Sequence, residues 1–140
     1  MTPSPTLALI AARPGSLQDS LVALMTTMPQ VNVVLIAEDA TSALRTMARH
    51  RPALVVLETN LAAPESCAPL QEIKAEWPTT ECIALAGDVE QERQALSAGA
   101  DVVLVVGFPA SEFITAIEGL LSRENKGTAR AYPEQSPGTD

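Results

Sequence analysis

Residues 52–61 read PALVVLETNL, and this stretch decides the fold. Its four apolar residues, 54–57, follow a proline and an alanine and are followed at once by the carboxylate of Glu58. A short, unbroken apolar run that contains β-branched residues and is bounded by turn residues is typical of a strand buried on both faces. Binding sites in open parallel sheets lie at the carboxyl ends of the strands. Glu58 is therefore the first candidate functional residue.

Similar apolar runs lie on both sides of this stretch. The sequence predicts further strands at residues 6–12, 31–37, 81–86 and 101–106. Apolar residues at helical spacing predict helices at residues 16–28, between Asp39 and Arg51, and at residues 64–77, 89–98 and 111–121. Strands that alternate with helices in this way form a parallel sheet with helices on both faces. We therefore predict one α/β domain over residues 6–122.

The two ends of the chain differ in composition from this domain. Residues 1–5 are proline-rich and are predicted to be loose. In residues 123–140, Gly, Pro, Glu and Ser replace the apolar residues. A segment of this kind buries too little apolar surface to fold by itself. We predict that residues 123–140 are a disordered tail or a linker cut short of another domain.

Composition and charge restrict the classes of function. The net charge of −8 argues against binding of nucleic acid or an anionic membrane by this domain. The two cysteines, Cys67 and Cys82, lack the spacing of metal ligands, and no nucleophile with a base partner can be assembled at the strand ends. No signal pattern or long apolar span is present. We therefore expect a cytoplasmic protein without a cofactor or enzyme activity.

Three strings of the sequence resemble one known family. They are ALIAARPG at residues 8–15, AEDATSALRTMARHRPALVVLE at residues 37–58 and AGADVVLVVGFPASEF at residues 98–113. Together they resemble the receiver domain (CheY-like) of bacterial two-component response regulators, over residues 6–121. The resemblance implies a flavodoxin-like three-layer sandwich, with a five-stranded parallel sheet of order 2-1-3-4-5 and helices on both faces.

The resemblance also implies where phosphoryl transfer would take place. Receivers accept a phosphoryl group on an Asp that ends the third strand, and this Asp binds magnesium together with an acidic pair that ends the first strand. Here the phosphoacceptor position holds Glu58, and the acidic pair falls on Ala11 and Ala12, followed by Arg13. Magnesium prefers several oxygen ligands in near-octahedral geometry. One glutamate beside two alanines and an arginine does not supply them.

Two further positions of the family read the phosphoryl group. A Thr or Ser ending the fourth strand and a Lys ending the fifth contact the phosphoryl oxygens in receivers. In this sequence the hydroxyl position falls on Ala86, or on Gly87 if the register slips by one, and the lysine position falls on Val106. Without metal and lysine, the charge on a transferring phosphoryl group has no counter-charge. The sequence therefore resembles a degenerate receiver, a pseudo-receiver, that is not phosphorylated by the usual route.

Three interpretations of Glu58 remain open. Its carboxylate could mimic a phosphorylated aspartate, it could pair with the guanidinium of Arg13 in the vacated metal position, or it could be a solvated group at a strand end. Mimicry in receivers depends on the hydroxyl and the lysine that read the charge, and both are missing here. Pairing or solvation is therefore favoured.

The resemblance further implies a surface for partners. In receivers the fourth helix, fifth strand and fifth helix dock other proteins or form a homodimer. Glu90 and Arg93 lie on the predicted exposed face of the fourth helix, and Phe108 follows the fifth strand. As an exposed aromatic residue, Phe108 would be a candidate anchor for a partner. It could equally fill the top of the emptied pocket.

Three hypotheses for function follow. The favoured one is a phosphorylation-independent module of two-component signalling that binds a protein, either a signalling protein or an output domain. The first alternative is a receiver that regulates a further output domain beyond residue 140 through Glu58 or another signal. The second is a flavodoxin-like domain that binds a small ligand. Against the second, residues 13–16 are too short a match for a Gly-rich phosphate loop.

Overall fold

The computed structural model describes residues 6–59, 61 and 67–125, with side chains as far as residue 121. Within these residues five strands alternate with five helices. In chain order they are β1 (Leu7–Ala11), α1 (Ser16–Thr26), β2 (Val33–Ala37), α2 (Ala40–His50), β3 (Leu54–Glu58), α3 (Ala68–Glu76), β4 (Glu81–Ala86), α4 (Val89–Ala98), β5 (Val102–Val105) and α5 (Ala110–Asn125).

The five strands form one parallel sheet of order β2-β1-β3-β4-β5. In its register, Ala11 of β1 lies beside Leu57 of β3, and Ala86 of β4 lies beside Val105 of β5. The helices cover both faces of the sheet, which gives three layers. The predicted fold class, a flavodoxin-like (CheY-like) sandwich of order 2-1-3-4-5, is confirmed.

Strand β3 lies at the centre of the sheet, and its four apolar residues are buried. Leu54 and Val56 pack into the core beneath α1 and α5, whereas Val55 and Leu57 pack into the core beneath α2, α3 and α4. An unbroken apolar run is therefore required here, because both faces of the strand are covered. Each fully buried Val or Leu side chain contributes about 1.5–3 kcal/mol.

The helix ends are set by local hydrogen bonds. Asp39 precedes α2, and its Oδ1 accepts the N–H of Ser42 at 2.8 Å. The hydrogen bonds that this carboxylate accepts from the backbone and side chain of Ser42 hold the pKa of Asp39 below its usual value. Helix α4 ends at Gly99, whose φ of 110° lies in the left-handed region that glycine adopts without strain.

The last helix extends further along the chain than the helix predicted at residues 111–121. Helix α5 runs over Ala110–Asn125, so the first three residues of the predicted tail, 123–125, are helical. The apolar residues do end near residue 121, but Ser, Arg, Glu and Asn contain no helix breaker, and the backbone continues the helix beyond the core. Residues 1–5 and 126–140, for which a loose start and a tail were predicted, lie outside the described residues.

Helix α3 is observed from Ala68 onward, and the start predicted for it at residue 64 also lies outside the described residues. In the part of the chain that the structure describes, no helix is long and apolar enough to cross a membrane.

Candidate functional site at the carboxyl edge of the sheet

The carboxyl ends of β1, β3, β4 and β5 lie side by side at one edge of the sheet. Main-chain hydrogen bonds continue one residue beyond three strands, where the N–H groups of Ala12, Thr59 and Val106 donate to the carbonyls of Ala37, Leu85 and Ala86 at 3.0, 3.0 and 2.8 Å. These bonds fix the strand ends relative to one another. The edge therefore brings together the residues singled out in the sequence, which are Ala11, Ala12, Arg13, Glu58, Ala86 and Val106.

Glu58 contacts Arg13 at this edge. Its Oε1 accepts the backbone N–H of Arg13 at 3.0 Å, and Nε of Arg13 lies 3.8 Å from the same oxygen. The side chain of Glu58 is 15% exposed and that of Arg13 is 55% exposed. The main-chain contact is the shorter one, and the guanidinium group approaches from the solvent side. The contact expected if Glu58 pairs with Arg13 is thus present.

The alanines at this edge present only methyl groups. Ala11, Ala12 and Ala86 are buried, and the carbonyl oxygen of Ala12 already accepts a hydrogen bond from Nε2 of Gln18 at 3.0 Å. A magnesium ion needs several oxygen ligands. Glu58 would be the carboxylate at the receiver metal position, and its Oε1 already accepts an N–H group. These residues do not fit the metal that receiver chemistry requires.

The position at which the resemblance to receivers implies a lysine carries a neutral side chain. Val106 follows β5 directly and is exposed. Lys74, the one lysine within the described residues, lies in α3, and its Nζ contacts Asp101 at the turn before β5, at the opposite edge of the sheet. No lysine among the described residues can therefore neutralise charge beside Glu58.

The search of the sequence missed two polar residues at this edge, Thr59 and Gln91. Thr59 is buried directly after β3, and its Oγ1 donates to Oε1 of Gln91 at 2.9 Å. The N–H of Gly87 donates to the same oxygen at 2.7 Å. The sequence did contain a signal for Thr59, because this residue follows Glu58 directly at the end of the predicted strand. Gln91 lies in a polar run that favours an exposed helical face, whereas the structure turns its side chain toward the strand ends.

Phe108 is only partly exposed. It is half-buried against the core, with its ring centroid 6.2 Å from that of Phe113 and the two rings inclined by 26°. Gly107, with φ of 104°, supports the turn that follows β5. The chain turns the ring onto α5, and both roles considered for Phe108, a partner anchor and a plug of the emptied pocket, stay predictions.

The predicted partner surface carries both charged and apolar residues. Glu90 and Arg93 are exposed and form an ion pair with each other along α4. Leu96, also in α4, is an exposed large apolar residue. A shallow groove of about 410 Å³ lies between β5 and α5, and it is lined by Val102, Leu104, Ser111, Glu112, Thr115 and Ala116. This face thus offers apolar contact area beside a charged helix surface.

Neither a protein-family model nor a curated protein matches this sequence. Solved structures with the same fold do match. The signal receiver domain of an HD domain-containing protein from Pseudomonas fluorescens Pf-5 is 22% identical, with a TM-score of 0.77 over 87% of this chain and 98% of its own.

Two further structures superpose on this chain with similar TM-scores. The receiver domain of NtrX from Brucella abortus is 24% identical, with a TM-score of 0.74 over 82% of this chain and 98% of its own. The isolated REC domain of RcsB from Salmonella enterica serovar Typhimurium, solved with the phosphomimetic BeF₃⁻, is 14% identical, with a TM-score of 0.76 over 85% of this chain and 90% of its own. At these identities the likeness is one of fold: the structural neighbours of this chain are receiver domains of response regulators.

Proposed function

We propose that this chain is a receiver-like domain of two-component signalling that is not phosphorylated by the usual route and acts as a protein-interaction module. The observation that carries the proposal is the contact between Glu58 and Arg13. At the position where a receiver would hold its phosphoacceptor and metal, a glutamate oxygen accepts the N–H of Arg13 and lies near its guanidinium group.

The chemistry of the strand ends supports this proposal. Phosphoryl transfer is catalysed mainly by positioning and by cations that neutralise the equatorial oxygens. At this edge the side chains of Ala11, Ala12 and Ala86 are methyl groups, and Val106 stands at the lysine position. The side chain of Arg13 is more than half exposed, so solvent screens its charge. A phosphoryl group would therefore find neither a metal nor a buried cation.

The face formed by α4, β5 and α5 is the proposed contact surface. It combines the exposed Leu96 with the groove between β5 and α5 and with the charged pair of Glu90 and Arg93. Clustered apolar area with a polar rim is typical of interaction sites. The partner class that fits is a signalling protein or an output domain, and a homodimer through the same face would use the same contacts.

Incubation with acetyl phosphate and Mg²⁺ tests the first half of the proposal. We expect no gain of phosphoryl mass by intact-protein mass spectrometry, while a receiver with a complete acidic site in the same mixture becomes labelled. Glu58→Asp serves as the matched variant. It also should remain unlabelled, because the metal carboxylates and the lysine are still missing. A stable adduct on Glu58 would refute the proposal, and labelling of the Glu58→Asp variant would show that the rest of the pocket is competent.

A further inference from the structure

The side chain of Gln91 joins the ends of two strands to the first turn of α4. Its Oε1 accepts hydrogen bonds from Oγ1 of Thr59 at 2.9 Å and from the N–H of Gly87 at 2.7 Å. Thr59 follows β3, and Gly87 follows β4. One carboxamide oxygen therefore connects the ends of β3 and β4 to helix α4.

The chemistry of the donors fixes which atom of the carboxamide faces the strands. A backbone N–H can only donate, so the group facing Gly87 must be the oxygen. A Cβ atom at position 87 would lie 3.0 Å from Oε1 of Gln91, closer than side chains normally approach. Glycine thus lets the carboxamide come close to the end of β4 without displacement.

The contact extends beyond ordinary helix capping. Asp88 and Gln91 have the spacing of a capping box, in which the third helical side chain returns to the N-cap. The first half of that motif is present, because the N–H of Gln91 donates to Oδ1 of Asp88 at 2.8 Å. The side-chain oxygen, however, reaches Gly87, one residue before the cap, and Thr59 on another strand. The helix start is thereby tied to β3 as well as to its own cap.

We infer that Gln91 is a positioning residue that locks the first turn of α4 to the carboxyl ends of β3 and β4. The lock holds the outer face of α4, which carries Glu90, Arg93 and Leu96, in one position without any covalent modification. It rests on these hydrogen bonds alone and does not require that the chain lack phosphorylation.

Amide hydrogen exchange of the purified chain with Gln91→Leu tests the lock. Leucine keeps the approximate size of the side chain and removes the acceptor. We expect the amide of Gly87 and the first-turn amides of α4 to exchange about five- to tenfold faster, as the loss of about 1 kcal/mol of hydrogen bonding implies. Gln91→Glu retains an acceptor oxygen and should restore the slow exchange of Gly87.

Gln94 offers a matched control on the same helix. It is exposed, and its Nε2 donates to Glu90 at only 3.4 Å. Gln94→Leu makes the same chemical change one turn from the lock and should leave the exchange of Gly87 unchanged.

Gly87→Ala tests the lock independently of residue 91. Its new Cβ should push the flexible carboxamide aside and accelerate exchange in the first turn of α4. The double variant with Gln91→Leu should show no further increase. The inference is overturned if Gln91→Leu leaves the exchange of Gly87 and α4 within about twofold of the unsubstituted chain. It is also overturned if exchange rises equally in α1 and α2. Neither result depends on the outcome with acetyl phosphate.

Discussion

The two edges of the sheet each hold an ion pair, and the two pairs differ in how they are bound. At the amino edge, Nζ of Lys74 lies 3.1 Å from Oδ2 of Asp101 and also donates to the carbonyl of Thr80 at 2.9 Å. Oδ2 of Asp101 in turn accepts the N–H of Cys82 at 2.8 Å. Both charged side chains are only about one fifth exposed, at 20% and 19%. This pair connects α3, the start of β4 and the turn before β5.

At the carboxyl edge the pair is looser. Nε of Arg13 lies 3.8 Å from Glu58, and the guanidinium group extends into solvent. The tighter bond there involves the backbone of Arg13, whose N–H lies 3.0 Å from Oε1 of Glu58. The difference teaches that the more buried pair, with more hydrogen bonds, lies at the edge away from the candidate site. A substitution at the carboxyl edge is therefore expected to disturb the sheet less than one at the amino edge.

The largest effect is expected from breaking the amino-edge pair. Lys74→Met leaves the carboxylate of Asp101 partly buried without its cation. We expect the free energy of unfolding in urea to fall by about 2 kcal/mol, less than for a fully buried pair because solvent still reaches both groups.

Asp101→Asn in the Lys74→Met background provides the control. The amide removes the uncompensated charge and keeps an oxygen for the N–H of Cys82, so the double variant should regain part of the loss. Equal stability of Lys74→Met and the unsubstituted chain would mean that the amino-edge pair does not stabilise the fold.

A smaller effect is expected at the carboxyl edge. Glu58→Ala removes the acceptor of the Arg13 N–H and should cost about 1 kcal/mol of unfolding free energy, whereas Glu58→Gln retains an acceptor oxygen and should cost less. Arg13→Ala keeps the backbone N–H and removes only a screened charge, so its effect should stay within about 0.5 kcal/mol. Urea titrations of the three variants decide the order. Arg13→Ala being as costly as Glu58→Ala would show that the guanidinium group carries the contact.

The smallest effect is expected in the reaction of the two thiols, those of Cys67 and Cys82, with iodoacetamide. Burial raises the pKa of Cys82 to about 12, and partial burial raises that of Cys67 as well. In the native chain at mildly alkaline pH, iodoacetamide should modify Cys67 first and leave Cys82 intact, because the thiolate is the reactive form. Peptide mass spectrometry identifies the modified cysteine. Rapid labelling of Cys82 in the folded chain would contradict its burial.

The raised pKa of Cys82 also makes the free energy of unfolding depend on pH. The pKa of Cys82 is raised on folding from 9.0 to about 12, so the neutral thiol contributes stability below pH 9. This contribution is lost as the pH rises from 9 toward 12, because the unfolded chain then releases the proton more readily. Cys82→Ala should lack this part of the alkaline loss.

The sequence was sufficient to predict which residues meet at the carboxyl edge. Apolar runs alternating with helical patterns specify parallel strands, and parallel strands place their ends together. Glu58, Ala11 and Ala86 could therefore be assigned to one edge from the sequence. That Ala11 and Ala86 carry neither a carboxylate nor a hydroxyl group is also a property of the residue types alone.

Other features of this edge depend on side-chain direction. Gln91 lies in a polar run that suits an exposed helix face, and its contact with Thr59 spans 32 positions of the chain. For Phe108 the sequence left open an exposed ring and a ring that fills the pocket, and the structure stacks it on Phe113. Local patterns do not report such directions, because a side chain's rotamer depends on what the neighbouring elements place around it.

The sequence by itself thus determined the layers and the identity of the strand-end residues, since these follow from periodicity and from the rules of chain connection. The strand order was implied by the resemblance to receiver domains. The tertiary structure alone decided that Glu58 binds the backbone of Arg13, that Phe108 turns inward, and that Gln91 ties α4 to two strands. Two of these contacts, Arg13 with Glu58 and Thr59 with Gln91, join residues 45 and 32 positions apart in the chain. Their geometry exists only once the sheet has brought its strand ends together.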